Sequence, residues 1–255
     1  MNTHTLLLVI GLSAGLLACT SKNEEKKVSA PEQKSTSGDR KMISPEALRD
    51  KVITLKPPAA KATSLDRLPF DLSAPRPGME VEGAVTDGLR WRDTLGENVV
   101  LFSRKPTGVQ RPTKDTLGDE GPGRALYATH YLSPKTGGSP VRKRVVRDRY
   151  ESCGFDLAVR FLKASFVITD LDADGVGEAS FAYVVDCTSD VSPLTIKLLM
   201  LEDGAKYILR GESRVQVGED KWTGGVFKVD QSFTLAPTNF LIHAGNLWMK
   251  INTLQ

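Results

Sequence analysis

Asp170, Asp172 and Asp174 occupy alternate positions of one short segment, Asp170-Leu171-Asp172-Ala173-Asp174-Gly175-Val176-Gly177-Glu178. Three carboxylates held that close repel one another strongly unless a cation sits between them. A hard divalent cation takes oxygen ligands, and calcium best accepts an irregular, crowded set. The expected ligands are the carboxylates of Asp170, Asp172 and Asp174, the backbone carbonyl of Val176, and Glu178 directly or through a water. Gly175 supplies the backbone freedom for the sharp turn. The competing reading is an Asp/Gly hairpin turn that holds no metal. No histidine or water-activating group lies nearby in sequence, so bound calcium would be structural rather than catalytic.

Two strands must carry this loop. Residues 166–169 and 179–185 are rich in β-branched and aromatic side chains and read as strands on either side of it. The ligand spacing opens like an EF-hand, but the twelfth position is Phe181, where an EF-hand has its bidentate Glu. The strand–loop–strand resembles the calcium turns of FG-GAP and VCBS-type β repeats. No second copy of the loop occurs, so a full propeller of repeats is not expected.

The cysteines say where such a domain would reside. Cys19 ends Leu16-Leu17-Ala18-Cys19 after an apolar run from Leu6 to Leu17, an arrangement that resembles a bacterial lipobox. That resemblance implies cleavage before Cys19 and lipidation of its thiol. The run is too short for an ordinary membrane span. The first five residues carry no Lys or Arg, a departure from the usual basic leader, and a plain cleaved signal or an uncleaved anchor stays open. Thr20 follows the Cys, and by resemblance to sorting signals the absence of Asp there implies the outer membrane. In an oxidising compartment Cys153 and Cys187 form an even pair and a candidate disulfide.

Residues 20–78 are expected to form a flexible tether rich in Ser, Lys and Pro, because that composition cannot bury a core. A short helix is expected at 45–52, with Ser44 as its N-cap. The globular domain is expected over 79–255. Strand signals run through 81–92, 99–102, 125–132, 141–150, 155–161, 194–201, 207–217 and 226–233, with loops at 105–123 and 133–140. A helix is expected over 238–252, capped by Thr238, with Phe240, Leu241, Ala244, Leu247, Trp248 and Ile251 on one face. Trp248 reads as a core anchor. The expected fold is mainly β: an antiparallel sheet domain, sandwich or partial-propeller-like, with one C-terminal α-helix.

Little else in the chain points to chemistry. The net charge of +3 in 255 residues gives no argument for nucleic acid. His130 and His243, the histidines beyond the leader, have no partners at metal or triad spacing and read as structural. No nucleophile elbow, zincin or phosphate-loop motif occurs. Asp186, Asp190, Glu202 and Glu212 are available as an acid pair for glycoside chemistry, but nothing in the sequence sets their separations. Asp190 and Ser192 are expected to bond local backbone amides. Arg142, Lys143, Arg144, Arg147 and Arg149 crowd one strand, with Lys143, Arg147 and Arg149 on one face and Arg142 and Arg144 on the other. That alternation suits an edge strand. It also makes these five residues a candidate contact for an anionic polysaccharide or lipid phosphate.

Four segments occur in a familiar order: Trp91-Arg92-Asp93 before Gly96-Glu97-Asn98; Ile168-Thr169-Asp170-Leu171-Asp172-Ala173-Asp174-Gly175; Cys187-Thr188-Ser189-Asp190-Val191-Ser192-Pro193; and Lys206-Tyr207-Ile208-Leu209-Arg210-Gly211. The series resembles a family of secreted bacterial proteins labelled surface polysaccharide biosynthesis proteins, over residues 81–255. The resemblance implies a role at the cell surface and brings no catalytic residues with it. The expectation is a non-enzymatic, outer-membrane-anchored lipoprotein with a calcium-braced β domain, in contact with the membrane through its lipid and with surface polysaccharide or an envelope protein. A carbohydrate-active enzyme with an unrecognised carboxylate site, and a glycan- or protein-binding envelope module, are the alternatives.

Overall fold

A computed structural model describes residues 65–74, 76–108 and 121–253. Strands β1 (Asp66–Leu68), β2 (Ala84–Arg92), β3 (Gly96–Gly108), β4 (Pro122–Pro134) and β5 (Val141–Tyr150) form one antiparallel sheet in that order. Strands β6 (Asp156–Thr169), β7 (Glu178–Thr188), β8 (Thr195–Glu202), β9 (Ala205–Glu212) and β12 (Phe227–Val229) form a second antiparallel sheet, ordered β12-β9-β8-β7-β6. Strands β10 (Arg214–Gly218) and β11 (Lys221–Gly224) pair as a separate hairpin. One helix, α1 (Thr238–Ile251), closes the described chain.

Alternation of side chains along β7 explains the layering. Ala179, Phe181 and Tyr183 point to the first sheet, where they meet Trp91, Val100, Phe102, Leu126 and Val146. Phe102 is central to that core, stacked on Phe166 at 4.2 Å and edge-on to Phe181 at 5.1 Å between ring centroids. Ala182 and Val184 point the other way, with Leu198 and Met200, against Phe240, Ala244, Leu247 and Trp248 of α1. The domain is therefore a two-sheet sandwich with a helix on the outer face of its second sheet, and of the two expected architectures the sandwich holds. Trp248 is fully buried and donates its indole N–H to Gly225 O at 3.0 Å, as a core anchor should. Each such large side chain contributes about 1.5–3 kcal/mol through burial.

The strand β6 is an edge of its sheet, and two arginines of the first sheet cover it. Arg67 donates to Ile168 O at 2.5 Å and Arg124 to Val159 O at 3.2 Å. Carbonyls that would otherwise template pairing with another chain are thereby occupied.

Several expected boundaries move. The fold begins before residue 79: β1 joins the first sheet, Leu65 packs against the inter-sheet core, and Phe70 packs on the outer face of β3 and β4. Prolines flank this short edge strand without entering its ladder, so a Pro-rich composition does not exclude it. Residues 105–108 and 122–123, expected as loop, are strand. Pro106 is tolerated in β3 because β2 pairing ends at Arg104, and no partner on that side needs its missing N–H. The two strands expected at 155–161 and 166–169 are one strand, β6, with an irregularity between Leu162 and Val167. Ser165 repairs the break: its hydroxyl donates to Leu162 O at 2.5 Å and accepts from Ala182 N at 2.6 Å.

The strand expected at 207–217 is two, β9 and β10. Buried Ser213 breaks it by donating its backbone N–H to Leu194 O at 2.8 Å. The strand expected at 226–233 ends at Val229 and passes into a 3-10 turn, Gln231–Thr234, capped by Asp230. Thr238 is not the cap of α1. Pro237 holds that position in extended conformation with no side-chain hydrogen bond, and Thr238 is already helical. The leader, Cys19, the helix expected at 45–52 and most of the expected tether lie outside the described residues.

Cys153 and Cys187 are disulfide-bonded, 34 residues apart in sequence. The bond sits at the open end of the β6–β7 hairpin, where Cys187 is opposite Leu157. Closing a loop of that size stabilises by about 3–4 kcal/mol in the chain-entropy account.

Candidate metal centre

The loop at the closed end of the β6–β7 hairpin is shaped by its own carboxylates. Asp170 Oδ2 accepts from Gly175 N at 3.2 Å, Asp172 Oδ1 from Asp174 N at 3.4 Å, and Asp174 Oδ1 from Val176 N at 2.7 Å. The Asp172 and Asp174 bonds are Asx turns, and the Asp170 bond closes the loop across five residues; together they wind the backbone so that successive carboxylates converge. Gly175 has φ +84° and Ala173 φ +62°. The left-handed conformation is free for glycine and costs alanine about 1 kcal/mol.

Two overlapping groups of carboxylates result. Asp170, Asp172 and Asp174 bring ligand oxygens within 4.8 Å of one another, and so do Asp172, Glu178 and Glu202. The expected ligand set thus divides, with Asp172 common to both parts. Val176 donates its N–H to Asp174 Oδ1 in the same loop. Glu202 is the member that the loop sequence does not contain. It comes from β8, where the register places it directly opposite Glu178. Like charges at directly opposed positions of a sheet destabilise it.

Burial sharpens that conflict. Glu178 is fully buried, and both its carboxylate oxygens accept from Leu171 N, at 3.0 and 3.1 Å. Burial, with Glu202 and Asp172 adding negative charge, pushes its pKa up to about 7. Burial raises Glu202 to about 7 as well, with the charges of Asp172 and Asp174 acting in the same direction. Tyr207 donates its hydroxyl to Glu202 Oε2 at 3.2 Å. The Asp170 carboxyl is also raised, first by burial, and its Oδ1 is a buried oxygen with no hydrogen-bond partner among the described residues. The donor set is all oxygen, which suits a hard divalent cation.

The loop is docked on the first sheet. Thr94 donates its N–H at 2.9 Å and its hydroxyl at 2.7 Å to Gly175 O. Gly177 N donates to Asp93 Oδ2 at 3.0 Å. Asp93 sits in the β2–β3 turn and is 5 % exposed. Its Oδ2 also accepts from Trp91 Nε1 at 3.0 Å and Asn98 Nδ2 at 2.9 Å, and its Oδ1 from the N–H groups of Leu95 and Gly96. A Cβ at Gly177 would collide with the Trp91 indole, so glycine is what lets the loop approach this closely.

The chain of bonds ends at His130, which is fully buried and stacked on Trp91 at 5.5 Å. Asn98 spends its NH2 on Asp93, so its Oδ1 faces His130 Nε2 at 2.9 Å, and Nε2 must be the protonated nitrogen. Nδ1 has no partner among the described residues, and burial drives the imidazole pKa down to about 4. His243 Nε2 lies 3.2 Å from Ser180 Oγ, but Ser180 is fully buried, which leaves this serine–histidine pair closed to a substrate.

The basic strand β5 is an edge, as expected, but its faces are not those of a simple alternation. A register shift between His130 and Tyr131 pairs them with Arg144 and Arg142 and leaves Lys143 as the extra residue. Lys143 pairs with Asp203 at 2.7 Å, and Arg144 Nε donates to Gly204 O at 2.6 Å, so both hold the β8–β9 turn. Arg147 pairs with Glu82 and Arg149 with Glu151. Arg142 alone of the five has no hydrogen bond or ion pair among the described residues. In the turn after Cys187, Asp190 bonds the hydroxyls of Ser192 and Thr188 instead of the expected backbone amides. Asp186 is the residue that takes an amide there, from Thr195 N at 2.7 Å.

No protein-family model, curated protein or solved structure matches this chain. The geometry therefore stands alone. It offers a carboxylate cluster suited to a cation. As an acid–base pair for glycoside chemistry, Glu178 and Glu202 fail, because Glu178 is sealed and its oxygens are occupied by the loop backbone.

Proposed function

We propose that this chain is an envelope lipoprotein, anchored to the outer membrane through Cys19, whose β domain is braced by bound calcium and serves surface polysaccharide without catalysing a reaction. The observation that carries the metal half is the meeting of Glu202, from a separate strand, with Asp172 and Glu178 of the loop. The loop aspartates are only partly satisfied by loop N–H groups, since Asp170 Oδ1 has no hydrogen-bond partner among the described residues. A fully buried glutamate facing a second glutamate is repelled by it, and a divalent cation relieves that repulsion. Calcium fits best, because the carboxylates are crowded and irregular while magnesium demands a near-ideal octahedron. The disulfide supports an oxidising compartment, and the Leu16–Cys19 segment supports the anchor. The polysaccharide role rests on the resemblance in the four sequence segments.

Trp91 makes the metal half directly testable, because its indole packs against Gly177 of the loop. Terbium bound there should luminesce when tryptophan is excited, calcium should displace it, and Trp91→Phe should abolish the signal in protein that circular dichroism shows to be folded. Asp172→Asn should weaken both ions by about tenfold or more, since it removes the ligand common to both groups. No calcium-displaceable terbium signal, together with a melting temperature indifferent to calcium, would overturn the brace. The anchor has its own test. Cys19→Ser should abolish labelling by a fatty-acid probe and move the protein from the membrane fraction to the soluble one; a Cys19→Ser protein that still takes up label contradicts the assignment.

A further inference from the structure

The outer face of β4 and β5 carries a depression of about 360 Å3 that the metal centre does not use. Glu80, Glu82, Tyr127, Thr129, Arg142 and Arg147 line it, with Val145 at one wall. We propose that this depression is a binding site for a hydroxyl-rich monoanion, namely a uronic-acid unit of a saccharide, with Arg142 as its carboxylate-binding residue. The inference rests on the cavity and its side chains and stands apart from the calcium reading; it gives the proposed contact with polysaccharide a place and a ligand class.

The groups in the depression sort into occupied and open. Arg147 is committed: it pairs with Glu82 and lies over the Tyr127 ring, its guanidinium carbon 5.4 Å from the centroid. The Glu82 charge also holds the Tyr127 phenol above its ordinary pKa, after burial. That ion pair and ring form a preset wall. Arg142 and the carboxylate of Glu80 have no side-chain partner among the described residues, so a free guanidinium and a free carboxylate face one cavity. The Glu80 backbone is fixed by Tyr131, whose hydroxyl donates to Glu80 O at 2.5 Å. Arg142 is fixed opposite Tyr131 by the register shift in β5. Thr129, 2 % exposed, places its side chain in the lining.

This set selects among ligands. A guanidinium binds a carboxylate or phosphate through paired N–H groups. Two glutamates in the same small space repel a multiply charged anion, which disfavours phosphate groups and highly sulfated chains. The same glutamates are acceptors for hydroxyl donors. A ligand with one carboxylate and several hydroxyls satisfies all of them. The volume lies in the range of small-molecule sites and is large for a single amino acid. The depression is concave and polar, which separates it from a flat lipid surface.

The test is titration calorimetry of the mature chain with oligogalacturonate, with a neutral glucose oligomer and with inorganic phosphate, in calcium-containing buffer at fixed salt. Oligogalacturonate should bind, and the neutral oligomer and phosphate should bind at least about tenfold more weakly. Arg142→Ala should weaken oligogalacturonate by about tenfold or more, and Glu80→Gln should weaken it less. Both variants should keep the wild-type melting temperature, because both side chains are exposed and without partners. Terbium binding at the carboxylate loop should be unchanged in both, because neither Arg142 nor Glu80 belongs to its ligand groups, so loss of this site and loss of the metal reading are separable. Absence of uronate binding overturns the proposal. So does binding that Arg142→Ala leaves intact, or phosphate binding as tight as uronate, which would mark generic attraction to a basic strand.

Discussion

Asp93→Ala should destabilise the domain by about 3–5 kcal/mol, as read from urea unfolding, because five N–H donors, four of them buried, lose one acceptor. Against a total stability of about 5–15 kcal/mol, such a loss leaves little margin. The pattern of variants is as informative as the size. Asp93→Asn keeps the shape but replaces one oxygen with an NH2 group, which then faces N–H donors on one side or the other, so it should recover only part of the loss. Because the Gly177 N–H is one of the five donors, the Asp93 variants should also bind calcium more weakly, whereas a substitution that only loosens packing elsewhere would not. An Asp93→Ala protein with wild-type stability would show that the β2–β3 turn does not hold the loop.

The second large effect is on pH dependence. Glu178 and Glu202 have folded-state pKa values near 7, raised from an ordinary 4.5. Without a cation, the folded state therefore binds more protons than the unfolded chain between about pH 4.5 and about pH 7. Their contribution to stability is full below the unfolded value and is lost as pH rises through the folded one. In calcium-free protein the contribution of this pair alone should fall by about 2–3 kcal/mol between about pH 5 and about pH 8, since the two groups face each other and titrate together. Calcium bound as proposed would stabilise the ionised pair and should remove most of this slope, so the calcium-induced rise in melting temperature should be large near pH 8 and small near pH 5.

His130 works in the opposite direction. Its folded pKa is near 4 against an ordinary 6.5, so neutral burial of the ring costs stability as pH falls below about 6.5. The calcium-free domain should be most stable near pH 5–6. Scanning calorimetry across this range, with chelator and with calcium, checks the sign; parallel curves in the two conditions would rule out Glu178 and Glu202 as a cation-linked pair.

The loop was legible in the chain because its chemistry is local: alternating aspartates and a glycine between two apolar runs specify a tight turn and its carboxylates together. Glu202 was visible only as one acid among several, since its place opposite Glu178 depends on the register of β7 against β8, and no residue within β8 states that register. Asp93 was readable as part of Trp91-Arg92-Asp93, but its five donors come from three segments, of which Gly177 lies 84 residues away. The domain start shows the same limit. Leu65 and Phe70 are too few to outweigh a Pro- and Lys-rich surrounding by composition, yet each has a surface of the sandwich to pack on. Ser213 ends β9 through a hydrogen bond from its N–H to Leu194 O, a long-range cause that no turn propensity announces. The helix and the sandwich core were readable from periodicity alone, since burial on one face repeats at 3.6 or 2 residues wherever a layer covers it.

The β6–β7 hairpin is fastened at both ends, by the Cys153–Cys187 bond where it opens and by the carboxylate loop docked on Asp93 and Thr94 where it closes. The disulfide does not form where thiols are kept reduced, and on the proposed calcium reading the loop is left without its cation where free calcium is scarce. A chain newly made in such surroundings lacks the covalent link and carries five uncompensated carboxylates, so its balance is tilted toward the unfolded, threadable form that a translocation channel accepts. On the proposed envelope location, oxidant and calcium beyond the membrane would close the two ends together, and the same sequence would mature only after it had arrived.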